Sequence, residues 1–245
     1  MERERIIVEA LGKKFKIGFK KRQSVLARFV SVFSGREARK TIWALQNISF
    51  SAKQGEIIGI IGKNGSGKST LLRCISKIYK QDTGIIKTNG KIVPIISLNV
   101  GMQPRLTMRD NINLCCSLFG LSKEEIKKRF QDIVKFSELQ DFIDTKIYQF
   151  SEGMKQRSAF SIAISCNPEI LLLDEVFEVG DERFKIKSAE KIKEFVKKRV
   201  SVLLVSHDLK MIEKYCNRVL WLDEGKTKQE GKTKEVISKY LKNKN

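Results

Sequence analysis

The apolar positions of this chain fall into short blocks. Residues 57–61, 170–173 and 202–205 are runs of isoleucine, leucine and valine, broken once by Gly59, the pattern of strands buried on both faces of a sheet. Residues 5–9, 43–51, 91–96 and 218–222 predict further strands, and 82–90 predicts a hairpin between Asp82-Thr83-Gly84 and Asn89-Gly90. The texture changes near Leu98. Residues 107–166 carry helical spacing and almost no strand signal. Ser122-Lys123-Glu124-Glu125 reads as a capping box opening a helix to about Phe136, and Asn167-Pro168 stops the helical stretch. Other helices are predicted over 68–79, 182–198 and 233–241. Within 20–40, Val25, Leu26, Phe29, Val30 and Phe33 recur at helical spacing beside Lys20, Lys21, Arg22 and Arg28. That pattern predicts an amphipathic helix able to lie on a membrane surface or on a membrane-embedded partner. The expected organisation is an α/β core in two parts, 1–97 and 167–245, with a basic insertion at 12–40 and a helical subdomain at 98–166.

The strand at 57–61 runs into Gly62-Lys63-Asn64-Gly65-Ser66-Gly67-Lys68-Ser69, which fits G-x-x-x-x-G-K-[ST] at every fixed position. Glycine lets the backbone wrap an anion without Cβ clashes. The loop's N–H groups and the first turn of the next helix, through Thr70, then favour phosphate. Lys68 is placed for the β- and γ-phosphates, and Ser69 for Mg²⁺. The motif implies a nucleoside triphosphate but not the use made of its energy.

Two later strands end in chemistry-bearing residues. Ile170-Leu171-Leu172-Leu173 is followed by Asp174-Glu175; Asp174 suits the Mg²⁺ shell, and Glu175 suits a base for the attacking water. Residues 200–206 lead into His207-Asp208, and His207 is the single histidine. At the carboxyl edge of a parallel sheet it faces the crevice where ligands bind, within reach of a γ-phosphate. Phe15 lies near the expected nucleotide site and offers an aromatic face for adenine.

Composition narrows the setting. The 245 residues are enough for a substantial core. No signal peptide is evident, and no apolar run approaches the ~20 residues of a membrane helix, so the chain is expected to be soluble by itself. Cys74, Cys115, Cys116, Cys166 and Cys216 form no C-x-x-C pair and read as reduced core thiols. The net charge of +20 suggests an anionic partner. Residues 12–40 alone hold ten Lys or Arg against Glu37, a local +9.

The order of motifs (P-loop, helical insert, F-S-E-G-M-K-Q-R, L-L-L-D-E, G-D, S-H-D) resembles the ABC-type ATPases, the nucleotide-binding subunits of ABC transporters. The resemblance covers the whole chain. It implies a P-loop core of the ABC type with an antiparallel β subdomain and an α-helical insertion. It also implies that Ser151, Glu152, Gly153 and Met154 form the signature motif that meets ATP held by a second copy. Asp181 then belongs to the loop crossing that interface, and two chains sandwich two ATP molecules with Mg²⁺. Phe15 matches the family's adenine-stacking position best, with Trp43 second.

Details of the resemblance point to the polysaccharide-export branch: S-x-G-M in the signature, V-G-D-x-x-F-x-x-K from Val179 with Lys187 offset, W-A-L-x-N-I-S-F from Trp43, and the basic insertion. Those subunits drive export of lipid-linked O-antigen, capsule or teichoic acid through a separate permease, working at the cytoplasmic face of the plasma membrane. The resemblance implies a homodimer, two permease copies and contact with an anionic membrane surface. Some members carry a C-terminal carbohydrate-binding domain, which a chain ending at Asn245 is expected to lack. Two departures stand out. Glu152 and Met154 replace the usual Gly and Gln, with Glu152 expected to face away from phosphate. The Q-loop glutamine is missing near Leu98, with Gln103 five residues late. The competing readings are another kind of ABC transporter subunit and a soluble ABC ATPase acting on nucleic acid. Against nucleic acid, the chain holds one ATPase unit and no sustained heptads.

Overall fold

A computed structural model describes residues 3–17, 40–96, 101–174 and 182–243. Residues 20–36, where an amphipathic helix is expected, and Leu98, Glu175 and Asp181 lie outside the described residues.

Two sheets organise the fold. Strands β1 (Glu4–Ile17), β2 (Lys40–Lys53) and β4 (Thr83–Thr88) form an antiparallel sheet in the order β2-β1-β4. Strands β3 (Ile57–Ile61), β5 (Ile92–Ile95), β6 (Ile170–Asp174), β7 (Ser201–Val205), β8 (Arg218–Asp223) and β9 (Lys226–Lys232) form the second, in the order β5-β6-β7-β3-β8-β9. Its pairs are parallel except β8 with β9. This is the α/β architecture with an antiparallel sheet that the motifs implied.

Helix α1 (Lys68–Ile75) follows the P-loop strand. Helices α2 (Met108–Leu118), α3 (Lys123–Ser137) and α4 (Glu152–Ser165) separate β5 from β6. Helices α5 (Glu182–Lys197), α6 (Leu209–Tyr215) and α7 (Thr233–Lys242) complete the chain.

Strand alternation divides the core. Ile58 and Ile60 of β3 face one apolar cluster with Leu71 and Leu72 of α1 and with Ile6, Val8 and Leu45 of the antiparallel sheet. Ile57 and Ile61 face the other, which holds the buried sides of α2 to α7. Both faces of the parallel sheet are therefore covered, which is why its strands lack polar alternation. The five cysteines are buried and unbridged. Burial pushes the Cys115 and Cys216 thiols up to about 12, so they stay protonated near neutrality and are poor nucleophiles.

Several local expectations need correction. The 82–90 stretch is no hairpin: β4 pairs with β1, while β5 joins the other sheet beside β6. The turn signals are real, with Gly84 at φ +80° and Gly90 at φ +128°, but the strands they flank pair elsewhere. The helix expected over 68–79 stops at Ile75. Lys77 turns left-handed at φ +62°, and the Lys77 and Tyr79 N–H groups close the helix end on the Cys74 and Arg73 carbonyls. Strands β1 and β2 extend well past 5–9 and 43–51, through register shifts that absorb Gly12 and its polar neighbours. The capping box at Ser122 forms as read: its hydroxyl accepts from the Glu125 N–H and Glu125 accepts from the Ser122 N–H.

Candidate nucleotide site

The sheet brings distant residues to one edge. Asp174 and Ile60 are both in register with Val205, which lies between them on β7. Gly62 follows Ile60 by two residues, and His207 follows Val205 by two. The start of the P-loop, the Asp174 carboxylate and His207 therefore share the carboxyl edge of three adjacent strands, where a ligand of an open α/β sheet binds.

The loop needs glycine at its ends. A Cβ on Gly62, at φ +152°, would come within 2.2 Å of the Leu222 carbonyl oxygen and 2.5 Å of Ser66 Oγ. One on Gly67, at φ +104°, would meet the Ala44 carbonyl at 2.7 Å and Leu45 at 2.8 Å. The loop is braced from behind by the β8–β9 turn: the Gly225 N–H donates to the Ser66 carbonyl, and the Gly225 carbonyl accepts from the Gln46 N–H. Sequence reasoning missed this brace. It joins β2, the P-loop and the turn at Gly225 through backbone groups, which leave no residue-type signal.

Lys68 is 6% exposed and folds back across its own loop, donating to the carbonyls of Gly62 at 2.9 Å and Lys63 at 3.1 Å. Its ammonium thus sits inside the curve of the backbone, where phosphate oxygens would replace those carbonyls. Lys63, Asn64 and Gly65 are exposed at the tip, while Ser69 and Thr70 are half-buried on the first turn of α1. Ser69 and Asp174 offer hard oxygen donors of the kind Mg²⁺ prefers, and the shared edge fits that ion.

His207 is exposed, and its backbone is held on the C-terminal side. Asp208 caps α6, accepting from the Lys210 and Met211 N–H groups, while Ser206 Oγ accepts from the Asp208 N–H. The S-H-D triplet thus contains the N-cap of α6 and a serine turn flanking the histidine, a signal legible in hindsight.

Ser151 is the N-cap of α4, and its Oγ accepts from the Met154 N–H at 3.2 Å. A Cβ on Gly153 would meet nothing nearer than Ser151 Oγ at 4.0 Å, so the backbone there is open to approach. Glu152 pairs with Lys155 at 3.3 Å. The helix start combines free N–H groups with a hydroxyl, a surface suited to an anion.

The aromatic candidates are neighbours on β1 and β2, where Lys14 pairs with Trp43 and Phe15 with Ile42. Phe15 meets Tyr79 edge-on at 5.5 Å. Trp43 is 39% exposed, with Lys14 over its ring at 5.5 Å, and precedes Ala44, whose carbonyl touches Gly67. The backbone N–H and carbonyl of Gln103 both bond to the Asn111 side chain.

Comparison with known proteins agrees with this arrangement. A family model described as ABC transporter matches residues 45–178. The teichoic acids export ATP-binding protein TagH of Lactococcus lactis subsp. lactis is 43% identical over 238 residues, covering 97% of this chain and 51% of that protein. The O-antigen export system ATP-binding protein RfbB of Klebsiella pneumoniae is 39% identical over 197 residues, covering 80% of each. This chain spans about half the length of the TagH relative. Among solved structures, the ATP-binding cassette MJ0796, in a dimeric post-hydrolysis state bound to ADP and Pi, superposes with a TM-score of 0.77 at 25% identity, covering 93% of this chain and 98% of that one. Among the described residues, no helix is long and apolar enough to cross a membrane.

Proposed function

The chain belongs to the ABC transporter family, and on that premise we propose that it hydrolyses ATP to power export of a lipid-linked polysaccharide through a separate permease. The observation that carries the ATPase part is the shared sheet edge, where the P-loop, Asp174 and His207 stand at the ends of three adjacent strands. The export part is supported by the likeness to TagH and RfbB over most of the chain.

In this reading Lys68 and the loop N–H groups neutralise phosphate charge. Ser69 and Asp174 would hold Mg²⁺, which supplies further charge neutralisation on the β- and γ-oxygens. Glu175 takes the proton of the attacking water, and His207 hydrogen-bonds the γ-phosphate. Phe15, with Trp43 second, stacks on adenine. Ser151, Glu152, Gly153 and Met154 serve the nucleotide of a second copy, with Asp181 at the crossing. ATP binding closes two copies and hydrolysis opens them. The chain then works at the cytoplasmic face of the plasma membrane.

The permease docks on the groove formed by residues 98–110 and the helical insert. A cavity of about 480 Å³ opens there between α2 and α3, lined by Arg109, Asn113, Lys123, Ile126, Lys127 and Phe130. The 20–36 segment supplies a second, basic contact with the permease or the anionic bilayer.

The test combines turnover and capture. Glu175→Gln is expected to slow hydrolysis by roughly 10²–10⁴-fold with ATP still bound; near-normal turnover would remove Glu175 from the role of base. The same tagged variant, pulled from native membranes in mild detergent with ATP, is expected to bring a small permease without a solute-binding protein. Recovery of ribosomes or DNA in its place would overturn the export reading.

A further inference from the structure

Two of the buried thiols meet. Cys116 on α2 and Cys166 at the C-terminal cap of α4 are 50 residues apart in sequence, yet their sulfurs lie 3.9 Å from each other. Both are fully buried. Cys166 Sγ also lies 3.1 Å from the Ile162 carbonyl, so its one S–H donates either to that carbonyl or to the Cys116 sulfur. The remaining cysteines lie elsewhere. Cys74 belongs to the opposite core cluster, and Cys216 ends α6. Cys115, one position before Cys116, lines a small cavity with Met102, Phe119 and Ile162.

The surroundings make the two thiols unequal. The Cys166 hydrogen bond, against the opposing effect of burial, holds the Cys116 thiol below its ordinary value, and the charges of Arg129 and Lys91 add to this. The same hydrogen bond, together with burial, pushes Cys166 up. Arg129 is fixed nearby by its own bonds: Nη1 donates to the Ser165 carbonyl at 2.6 Å and to Asn167 Oδ1 at 2.7 Å. Cys116 is therefore the better nucleophile, and Cys166 is the neighbour placed to resolve it. The backbone leaves room for the last approach. The Cys166 N–H bonds to the Ala163 carbonyl in a tighter turn than the α-helical one, and Asn167 turns left-handed at φ +51° before Pro168. A disulfide needs sulfurs about 2.05 Å apart. Side-chain rotation and a shift of this terminal turn supply the closure.

We propose that Cys116 and Cys166 are an oxidisable pair, closed by hydrogen peroxide into a disulfide that staples α2 to the end of α4. In the first step the Cys116 sulfur attacks one peroxide oxygen. The O–O bond breaks, and the departing hydroxide takes the proton lost by Cys116, giving water and a sulfenic acid. In the second step the Cys166 sulfur attacks the Cys116 sulfur. The S–O bond breaks, and hydroxide leaves with the Cys166 proton as a second water. Two thiols lose two electrons, and peroxide is reduced to two waters. Peroxide enters during local opening of the terminal turn, so the reaction is slow. It proceeds without nucleotide.

The test treats the reduced full chain with hydrogen peroxide and then removes the oxidant. Free thiols are counted in denaturant with N-ethylmaleimide, and linked peptides are mapped by mass spectrometry without reductant. The count is expected to fall from five to three, with the linkage between Cys116 and Cys166, and dithiothreitol is expected to restore it. Amide exchange over the last turn of α4 is expected to slow on oxidation and to recover with dithiothreitol. In Cys166→Ser the linkage is expected to be lost, and dimedone to trap the sulfenic acid at Cys116. Survival of all five thiols would overturn the proposal. So would a linkage through Cys115 or between two chains, a sulfinic acid at Cys116 with no linkage, or unchanged exchange in the oxidised chain. The wild-type peptide map decides the matter even where Cys166→Ser does not fold.

Discussion

The carbonyl oxygen of Ala44 lies 2.7 Å from the position a Cβ would take on Gly67. This approach ties the strand that carries Trp43 to the residue before Lys68. It also explains a glycine that the phosphate chemistry alone would not demand so strictly. Gly67 has φ +104°, outside the range of ordinary side chains.

Gly67→Ala therefore meets both a strained backbone and two contacts that cannot coexist with a methyl group. The expected local cost is about 1–3 kcal/mol, met by displacing the loop from Ala44. ATP affinity is expected to fall more than about 10-fold, equivalent to over ~1.4 kcal/mol. Isothermal titration with a non-hydrolysable ATP analogue checks this. Unchanged affinity would show that the loop accommodates the methyl without moving Lys68.

Asn111 is fully buried, and its side chain serves four backbone groups. Nδ2 donates to the carbonyls of Gln103, Leu106 and Thr107, and Oδ1 accepts from the Gln103 N–H. It thereby holds residues 103–107 against α2, beside the proposed docking groove. Asn111→Ala is expected to destabilise the protein by about 1–2 kcal/mol: the Gln103 N–H loses its acceptor, while the carbonyls of Gln103, Leu106 and Thr107 keep the backbone donors of Leu106, Ile147 and Asn111. Amide exchange at Gln103 should accelerate more than exchange in β3. If denaturant melts show a loss below ~0.5 kcal/mol, water replaces the side chain and the loop does not depend on Asn111.

These two sites mark what can be read from residue order. The P-loop is local: a strand, three spaced glycines and a Lys-Ser pair carry its meaning within a dozen positions. The capping box at Ser122 is equally local, and so is the apolar strand ending at Asp174. The brace at Gly225 and the bonds of Asn111 are not local, since each depends on segments far apart in the chain or on main-chain groups. The 82–90 stretch shows the same division. Its turns were legible in Gly84 and Gly90, yet strand partners are chosen by the sheets: β4 satisfies the edge of β1, and β5 covers β6. The position of His207 two residues after β7 follows from a continuous apolar run whose end is plain in the sequence. The resemblance ranks Phe15 ahead of Trp43, and the two lie at successive rungs of one ladder, Phe15 opposite Ile42 and Trp43 opposite Lys14.

Acid stability should report on Asp82. Its carboxylate accepts from the Lys14 N–H at 2.8 Å and pairs with Lys13 at 3.0 Å. The backbone hydrogen bond, then the Lys13 hydrogen bond, hold it below the usual carboxylate range. A folded-state value below the unfolded one gives stability that is full above the unfolded pKa and lost as pH falls through the folded one. Wild type is therefore expected to lose this contribution below about pH 4. Asp82→Asn removes that part of the slope, and its melting temperature should fall less steeply between neutral and acid pH. Parallel curves for the two proteins would mean that the unfolded chain holds Asp82 just as low.

The adenine contact can be assigned by comparing two single substitutions. Phe15 already spends an edge on Tyr79, and Lys13 lies 5.4 Å from its ring centre. Trp43 is more open and adjoins Ala44, but Lys14 lies over its ring. A cation on one face leaves the other for a base, and stacking of a purine is worth ~1–3 kcal/mol by alanine substitution. The ring that stacks should therefore lose about 5–100-fold in ATP affinity when replaced by Ala. Its partner should change affinity little. Phe15→Ala is expected to show the larger loss, in keeping with its position in the family pattern. The control ligand is inorganic triphosphate, which has no base, so its affinity should be the same in both variants. A parallel loss of triphosphate binding in Phe15→Ala would mean that removing the ring disturbs β1 and, through Ala44, the loop itself. A larger loss of ATP in Trp43→Ala, with triphosphate unaffected, would move the adenine to the tryptophan.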